Sequence, residues 1–202
     1  MAGYDRHTVV DRHREAVDRF IDFWGEMATN WGINRTMAQI HAFLYSRDEP
    51  ADTDTIMHRL RISRGNANMN LRSLVKWNLV QCVHMEGSRK DYYTAEQDVW
   101  EIMAQIVRER KKREIRPVLD QLESCRSALL DDRDPATLAS HEGGFLERIE
   151  RLIELMQVFD GFTETIIPLI QQRNAPLIRE IISFAREIGA NGEAQNGSER
   201  GG

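Results

Sequence analysis

A chain of 202 residues with 41% hydrophobic and 29% charged residues carries enough apolar material for a self-standing core. No apolar run approaches the ~20 residues a membrane span needs, which excludes a bilayer-crossing protein. Two cysteines, Cys82 and Cys125, fall in different predicted elements and no signal peptide is visible, so the composition points to a reducing, cytoplasmic setting rather than a disulfide framework. The net charge of -5 argues against a nucleic-acid partner only if it is spread evenly.

Residues 5–31 repeat apolar groups at Val17, Phe20, Trp24, Met27, Ala28 and Trp31, the spacing of one face of a long helix, and Gly32 supplies a stop. Asn34 is placed to cap a second helix through Met37, Ile40, Phe43 and Leu44. A short helix follows over residues 52–60, with Asp52 as cap and Ile56, Met57 and Leu60 facing inward.

Residues 62–80 are the most telling stretch. Ser63 is a good N-cap, because its hydroxyl takes up a backbone N–H that the first helical turn leaves free. At ~100° per residue, Leu71, Leu74 and Val75 fall beside Ala67 on one face, and Gly65, Asn66, Met69, Arg72, Ser73 and Lys76 fall on the other. The outward set is short, polar and basic. A helix entering a DNA major groove needs such a face: Arg binds guanine, Asn binds adenine, and an apolar group touches a thymine methyl.

Leu79–Met85 is β-prone, Glu86-Gly87-Ser88 is turn chemistry, and residues 89–94 make a return strand. Two short helices and a basic-tipped hairpin describe a winged helix-turn-helix, with Arg89 and Lys90 where the wing meets phosphate or the adjacent minor groove. Charge follows the same segment. Between Ile56 and Thr94 seven basic residues face two acidic ones, a local +5 that leaves -10 on the rest. Attraction to phosphate is screened over ~8 Å at physiological salt, so a basic patch on an acidic body is compatible with DNA.

Residues 97–130 form a long helical pattern that starts apolar (Val99, Ile102, Met103, Ile106), passes through the charged run 108–116 and meets Pro117, where a bend or break is expected. The basic stretch 108–113 within that run is a candidate for a further DNA contact, the ordinary reading being a solvated face with local Glu pairs. After a polar connector at 131–135, Leu146, Ile149, Leu152, Ile153, Met156, Phe159 and Phe162 recur at helical spacing, and Ile166, Ile167 and Leu169 extend the pattern around Pro168. A last helix is expected from Pro176 to Ile188, ending at Gly189, before a Gly-rich polar tail.

Ile62-Ser63-Arg64-Gly65-Asn66 and Asn70-Leu71-Arg72-Ser73-Leu74, followed by Gly87-Ser88-Arg89-Lys90-Asp91-Tyr92-Tyr93 and Asp98-Val99-Trp100, resemble the GbsR-type branch of the MarR transcriptional regulators. The resemblance covers about residues 24–122. Arg61 and Asn78 stand where such proteins often carry a turn glycine; Asn tolerates a left-handed backbone, Arg less so. The resemblance implies a mainly α fold, a winged helix-turn-helix with a small hairpin wing and long flanking helices that form a two-fold dimer.

The candidate DNA-contacting set is Ser63, Arg64, Gly65, Asn66, Asn68, Met69, Arg72, Ser73, Lys76, Arg89 and Lys90. The resemblance also implies a small-molecule effector, a quaternary ammonium being one class, which is held by aromatic faces. Phe20, Phe23, Trp24, Trp31 and Trp100 are candidates, although core packing is the ordinary role of rings at such positions.

The organisation expected is an N-terminal dimerisation helix (1–34), a DNA-binding domain (35–96), a C-terminal helical dimerisation region (97–189) and a disordered tail (190–202). Catalysis finds no support. The histidines are scattered, no zinc-type His pair is present, and Gly143-Gly144 lacks the strand before it and the lysine after it that a phosphate loop requires. No cofactor, metal or membrane partner is expected. The function that fits is a dimeric, sequence-specific DNA-binding regulator, most simply a repressor at a near-palindromic operator. The alternative is a helical protein–protein docking module on a winged fold.

Overall fold

A computed structural model describes the backbone of residues 6–131 and 133–199 and the side chains of residues 12–131 and 133–187. The chain forms two compact units, Met1–Ile102 and Met103–Gly202.

In the first unit, helix α1 (Arg6–Asn30) closes at Gly32, whose φ of 71° lets the Ile33 N–H turn back to the Ala28 carbonyl at 2.9 Å. Helix α2 (Arg35–Tyr45) starts where Asn34 Oδ1 accepts the Met37 N–H at 3.0 Å. The two helices pack on each other, burying Ile21 and Ala28 of α1 and Met37, Ile40 and Leu44 of α2. Strand β1 (Ala51–Asp52), which the sequence pattern had not suggested, leads into α3 (Thr53–Leu60); Asp52 Oδ1 caps it, accepting the Thr55 N–H at 2.8 Å. Helix α4 (Arg64–Lys76) is followed by the hairpin β2 (Val80–His84) and β3 (Asp91–Ala95).

The sheet order is β1-β3-β2, antiparallel throughout, with Val80 opposite Ala95, His84 opposite Asp91 and Asp52 opposite Tyr92. The return strand begins at Asp91 rather than at residue 89. Residues 85–90 are taken up by the turn, in which Gly87 sits at φ 78° and the Lys90 N–H bonds Ser88 Oγ at 3.2 Å.

One core side chain makes the first unit acid-sensitive. His41 is 4% exposed, its Nε2 finds no partner among the described residues, and burial pushes its pKa from the ordinary 6.5 down to about 4. The unfolded chain therefore takes up a proton that the native state refuses. Stability is complete above the unfolded value of 6.5 and is lost as pH falls from there toward 4, by at most about 1.4 kcal/mol per pH unit. Urea midpoints followed across this window should fall more steeply for the parent than for His41→Phe; parallel profiles would rule out this histidine as the cause.

Helix α5 (Val99–Arg110) begins in the last residues of the first unit, and in the second it continues through a π-helical turn (Lys111–Ile115) into α6 (Arg116–Leu130). The bend or break expected at Pro117 takes this form. A proline lacks its N–H and crowds the carbonyl one turn back, and widening that turn to a π register places Pro117 in the first turn of the next helical segment, where no bond from its nitrogen is required. The Lys111 ammonium sits between Asp160 Oδ1 (3.0 Å) and Glu164 Oε1 (2.8 Å) of α7, tying the π turn to that helix.

Asp131 ends α6 in the left-handed region at φ 37°, and a 3-10 turn (Pro135–Thr137) leads to α7 (Ser140–Gln171), which packs on α6 through Leu146, Ile149 and Ile153. Helix α7 carries Pro168 within its last turn. Helix α8 (Ala175–Glu199) packs on α7 and does not stop at Gly189. Glycine costs a helix about 1 kcal/mol relative to alanine but keeps its N–H, and Ala190, Glu193, Ala194 and Gln195 favour the helical state, so the backbone of 190–199 is helical where disorder was expected. The rest of that tail, 200–202, lies outside the described residues.

Candidate nucleic-acid interface

Helix α4 owes its position to the turn before it and the cap at its start. Arg61 adopts the left-handed conformation (φ 53°, ψ 44°) in the place where a glycine was the easier choice, and the Ile62 N–H closes on the Met57 carbonyl at 3.2 Å. Asn78 does the same after α4 at φ 55°. Ser63 Oγ accepts the Asn66 N–H at 3.3 Å.

From that start, Ala67, Leu71 and Leu74 bury themselves against the first unit at 0%, 1% and 1% exposure, with Val75 half-buried beside them. Asn70 is buried as well, and it satisfies itself within the helix: Nδ2 donates to the Asn66 carbonyl (2.9 Å) and to Asn66 Oδ1 (2.7 Å). The opposite face is open. Ser63, Arg64, Gly65, Met69, Arg72 and Lys76 are exposed, with Met69 at 58%, while Asn66, Asn68 and Ser73 are half-buried.

The cations of this segment divide into two groups. Arg59 bonds Asp18 of α1, Arg64 bonds Asp54 of α3, and Lys90 Nζ lies 2.6 Å from Asp52 Oδ2 and 3.0 Å from Asp54 Oδ2. Arg61, Arg72, Lys76 and Arg89 are in no ion pair among the described residues. The local +5 is thus partly balanced by carboxylates from outside the counted segment, Asp52 and Asp54 just before it in sequence and Asp18 on α1.

Lys90 is the clearest departure from a free wing tip. Because β1 pairs with β3 so that Asp52 faces Tyr92, the residue two places before Tyr92 reaches the start of α3. Asp52 is held at about pKa 2 from the ordinary 3.8, first by the hydrogen bond from Lys90 and then by those from Thr55. Hydrogen bonds from Lys90 and Arg64 likewise lower the Asp54 carboxyl, and the two carboxylates raise the Lys90 ammonium.

Between α4 and the hairpin lies a depression of about 330 Å³ lined by Arg72, Val75, Lys76, Cys82 and Tyr93. It joins the basic half of α4 to the wing. The Cys82 thiol faces it with a pKa raised by partial desolvation and by Asp91, the opposite of the thiolate-favouring surroundings a redox-active cysteine needs. Of the lining residues, Arg72 and Lys76 belong to the candidate DNA-contacting set, and Val75, Cys82 and Tyr93 do not.

The aromatic candidates do not converge. Phe20 and Trp24 pack together, with ring centroids 5.4 Å apart, and join Tyr45 (6.2 Å from Phe20) and His41 (6.3 Å from Trp24). His41 and Tyr45 were missed by the sequence reading, although their spacing of four matches that of Phe20 and Trp24 on the facing helix. Phe23 is exposed on α1, Trp31 is exposed in the turn that follows it, and Trp100 is half-buried at the start of α5. Among the described residues, no three metal-capable side chains gather and no helix is long and apolar enough to cross a membrane.

No protein-family model matches the chain. It is 24% identical over 115 residues to the HTH-type transcriptional repressor GbsR of Bacillus subtilis (strain 168), a match that takes in 57% of this chain and 63% of that protein. The matched segment thus spans less than two thirds of the length of that curated relative. The crystal structure of a transcriptional regulator superposes on 78% of this chain and 99% of its own with a TM-score of 0.58 at 14% sequence identity, a likeness of fold. The fold is a winged helix-turn-helix with long flanking helices, and the chain is similar, at low identity and over part of its length, to a helix-turn-helix transcriptional repressor.

Proposed function

We propose that the protein is a homodimeric, sequence-specific DNA-binding transcriptional regulator that represses by occupying a near-palindromic operator. One observation carries the reading: a capped helix whose inner face is sealed into the core presents Arg72, Lys76 and Met69 to solvent beside a hairpin with Arg89 in its turn. Bases are read by the exposed side chains of α4, chiefly Arg72 with Asn66, Asn68, Met69 and Ser73, while Lys76 and Arg89 meet phosphate. Gly65 leaves room for the sugar-phosphate backbone, as no atom lies within 4 Å of a side chain added there.

Two-fold symmetry suits this task, because a dimer sets two recognition helices roughly 34 Å apart, about one turn of DNA. Helix α7 supports self-association. Besides the stripe it buries against α6, it exposes Phe145, Leu152, Leu155, Phe159 and Phe162, 45–58% open and spaced by seven, three, four and three residues, the a/d rhythm of a helical pair. A second copy of the C-terminal helices covers this stripe, and α1 contributes as well. A small effector that shifts the two reading heads belongs to the same proposal and rests on the family resemblance alone; Phe20 and Trp24 are already occupied by Tyr45 and His41.

Selection from a random duplex pool tests the reading. The protein should enrich a near-palindrome with half-site centres about one helical turn apart, and its affinity should fall steeply with salt. Retention of no sequence over the starting pool would favour a docking module that uses the winged fold for another protein.

A further inference from the structure

Resting on the DNA-binding reading above, we infer that Asp54 is an internal competitor for DNA phosphate that holds down affinity for every sequence alike. Its carboxylate stands in the first turn of α3 and bridges two elements of the interface, accepting from Arg64 at the start of α4 through Oδ1 and from Lys90 in the wing turn through Oδ2 at 3.0 Å. A carboxylate and the non-bridging oxygens of a phosphodiester offer a guanidinium or an ammonium the same thing: a pair of anionic acceptors bearing one unit of charge.

Each N–H that either cation gives to Asp54 is one withheld from phosphate, and a phosphate approaching either cation meets the Asp54 charge. The exchange is open at ordinary salt because all three side chains are 49–60% exposed to solvent, where such pairs are weak. Asp52 plays a different part. Its side chain is 11% exposed and its Oδ1 caps α3, so it remains in place as the tether that keeps Lys90 near the wing when Asp54 lets go.

The opposite role makes the opposite prediction: if the Asp54 pairs persist on DNA and only brace the wing, removing the carboxylate weakens binding. Fluorescence anisotropy on the selected operator and on a random duplex of equal length, across a range of salt, separates the two. Asp54→Asn should bind both duplexes about three- to tenfold more tightly, leave their ratio unchanged and steepen the salt dependence. Asp54→Glu, which restores the charge, should gain less. In a Lys90→Gln background the gain should shrink, because one of the two cations released is gone. Asp54→Ser should repeat the sign of Asp54→Asn, which guards against a local defect in α3. Unchanged or weaker binding by Asp54→Asn, or an equal gain with Lys90→Gln present, overturns the competitor role while leaving the regulator reading intact. Failure of the parent to bind any duplex overturns both.

Discussion

Arg72→Ala should lower operator affinity by about 1–3 kcal/mol per half-site, a loss that is doubled when both half-sites of a dimer are engaged. Arg72 lies on the open face of α4, is in no ion pair among the described residues, and lines the depression shared with Lys76 and Tyr93. Its guanidinium is therefore available to present two parallel donors to a guanine edge, a contact that the wrong base cannot satisfy. The loss should be concentrated at one base pair of the half-site, visible as relaxed preference there, while affinity for random duplex falls only by the share of one cation. Thermal stability should barely change, since exposed side chains of this kind contribute within about 0.5 kcal/mol. An Arg72→Ala protein that selects the parental operator with parental preference at every position would place base reading elsewhere.

The neighbouring residue should behave in the reverse manner. Leu71 turns from Arg72 into the core, where it is 1% exposed between α2 and α4. Leu71→Ala removes about three buried carbons and leaves a cavity that packed helices close only in part, a cost of about 2–5 kcal/mol. Urea unfolding should register this as a lower midpoint with little change in slope. DNA bound by the folded fraction should keep the parental preference. A Leu71→Ala protein of parental stability would mean that α4 does not seal the core as described.

The local signals in this chain were legible because they depend on neighbours in sequence. Asn34, Asp52 and Ser63 each accept the N–H three residues on, as their type and position suggest, and the inner face of α4 follows from helical periodicity alone. The left-handed turns at Arg61 and Asn78 form without glycine, since the packing of α3, α4 and β2 outweighs a penalty of about 1–2 kcal/mol at Arg61.

Pairings across the sequence were not legible. Lys90 reaches Asp52 only because a two-residue strand sets Asp52 against Tyr92, and so short a strand has no alternation to detect. Asn70 looked like another polar residue of a polar helix, whereas its bonds to Asn66 allow it to be buried. Pro117 signalled a disruption without specifying its form, and the widened turn at Lys111–Ile115 depends on what packs against it, including the Asp160 and Glu164 carboxylates that hold Lys111. The run of α8 past Gly189 has a simpler reason: glycine ends a helix only where the chain turns away, and here it does not.

The direct test of where DNA lies is photo-crosslinking from position 69, which is 58% exposed on the open face of α4. With a photoreactive residue there and the selected operator bound, crosslinks should form to base edges in the major groove, once in each half-site. A complex that forms normally while position 69 crosslinks only to protein, or not at all, would contradict the placement of α4 in the groove.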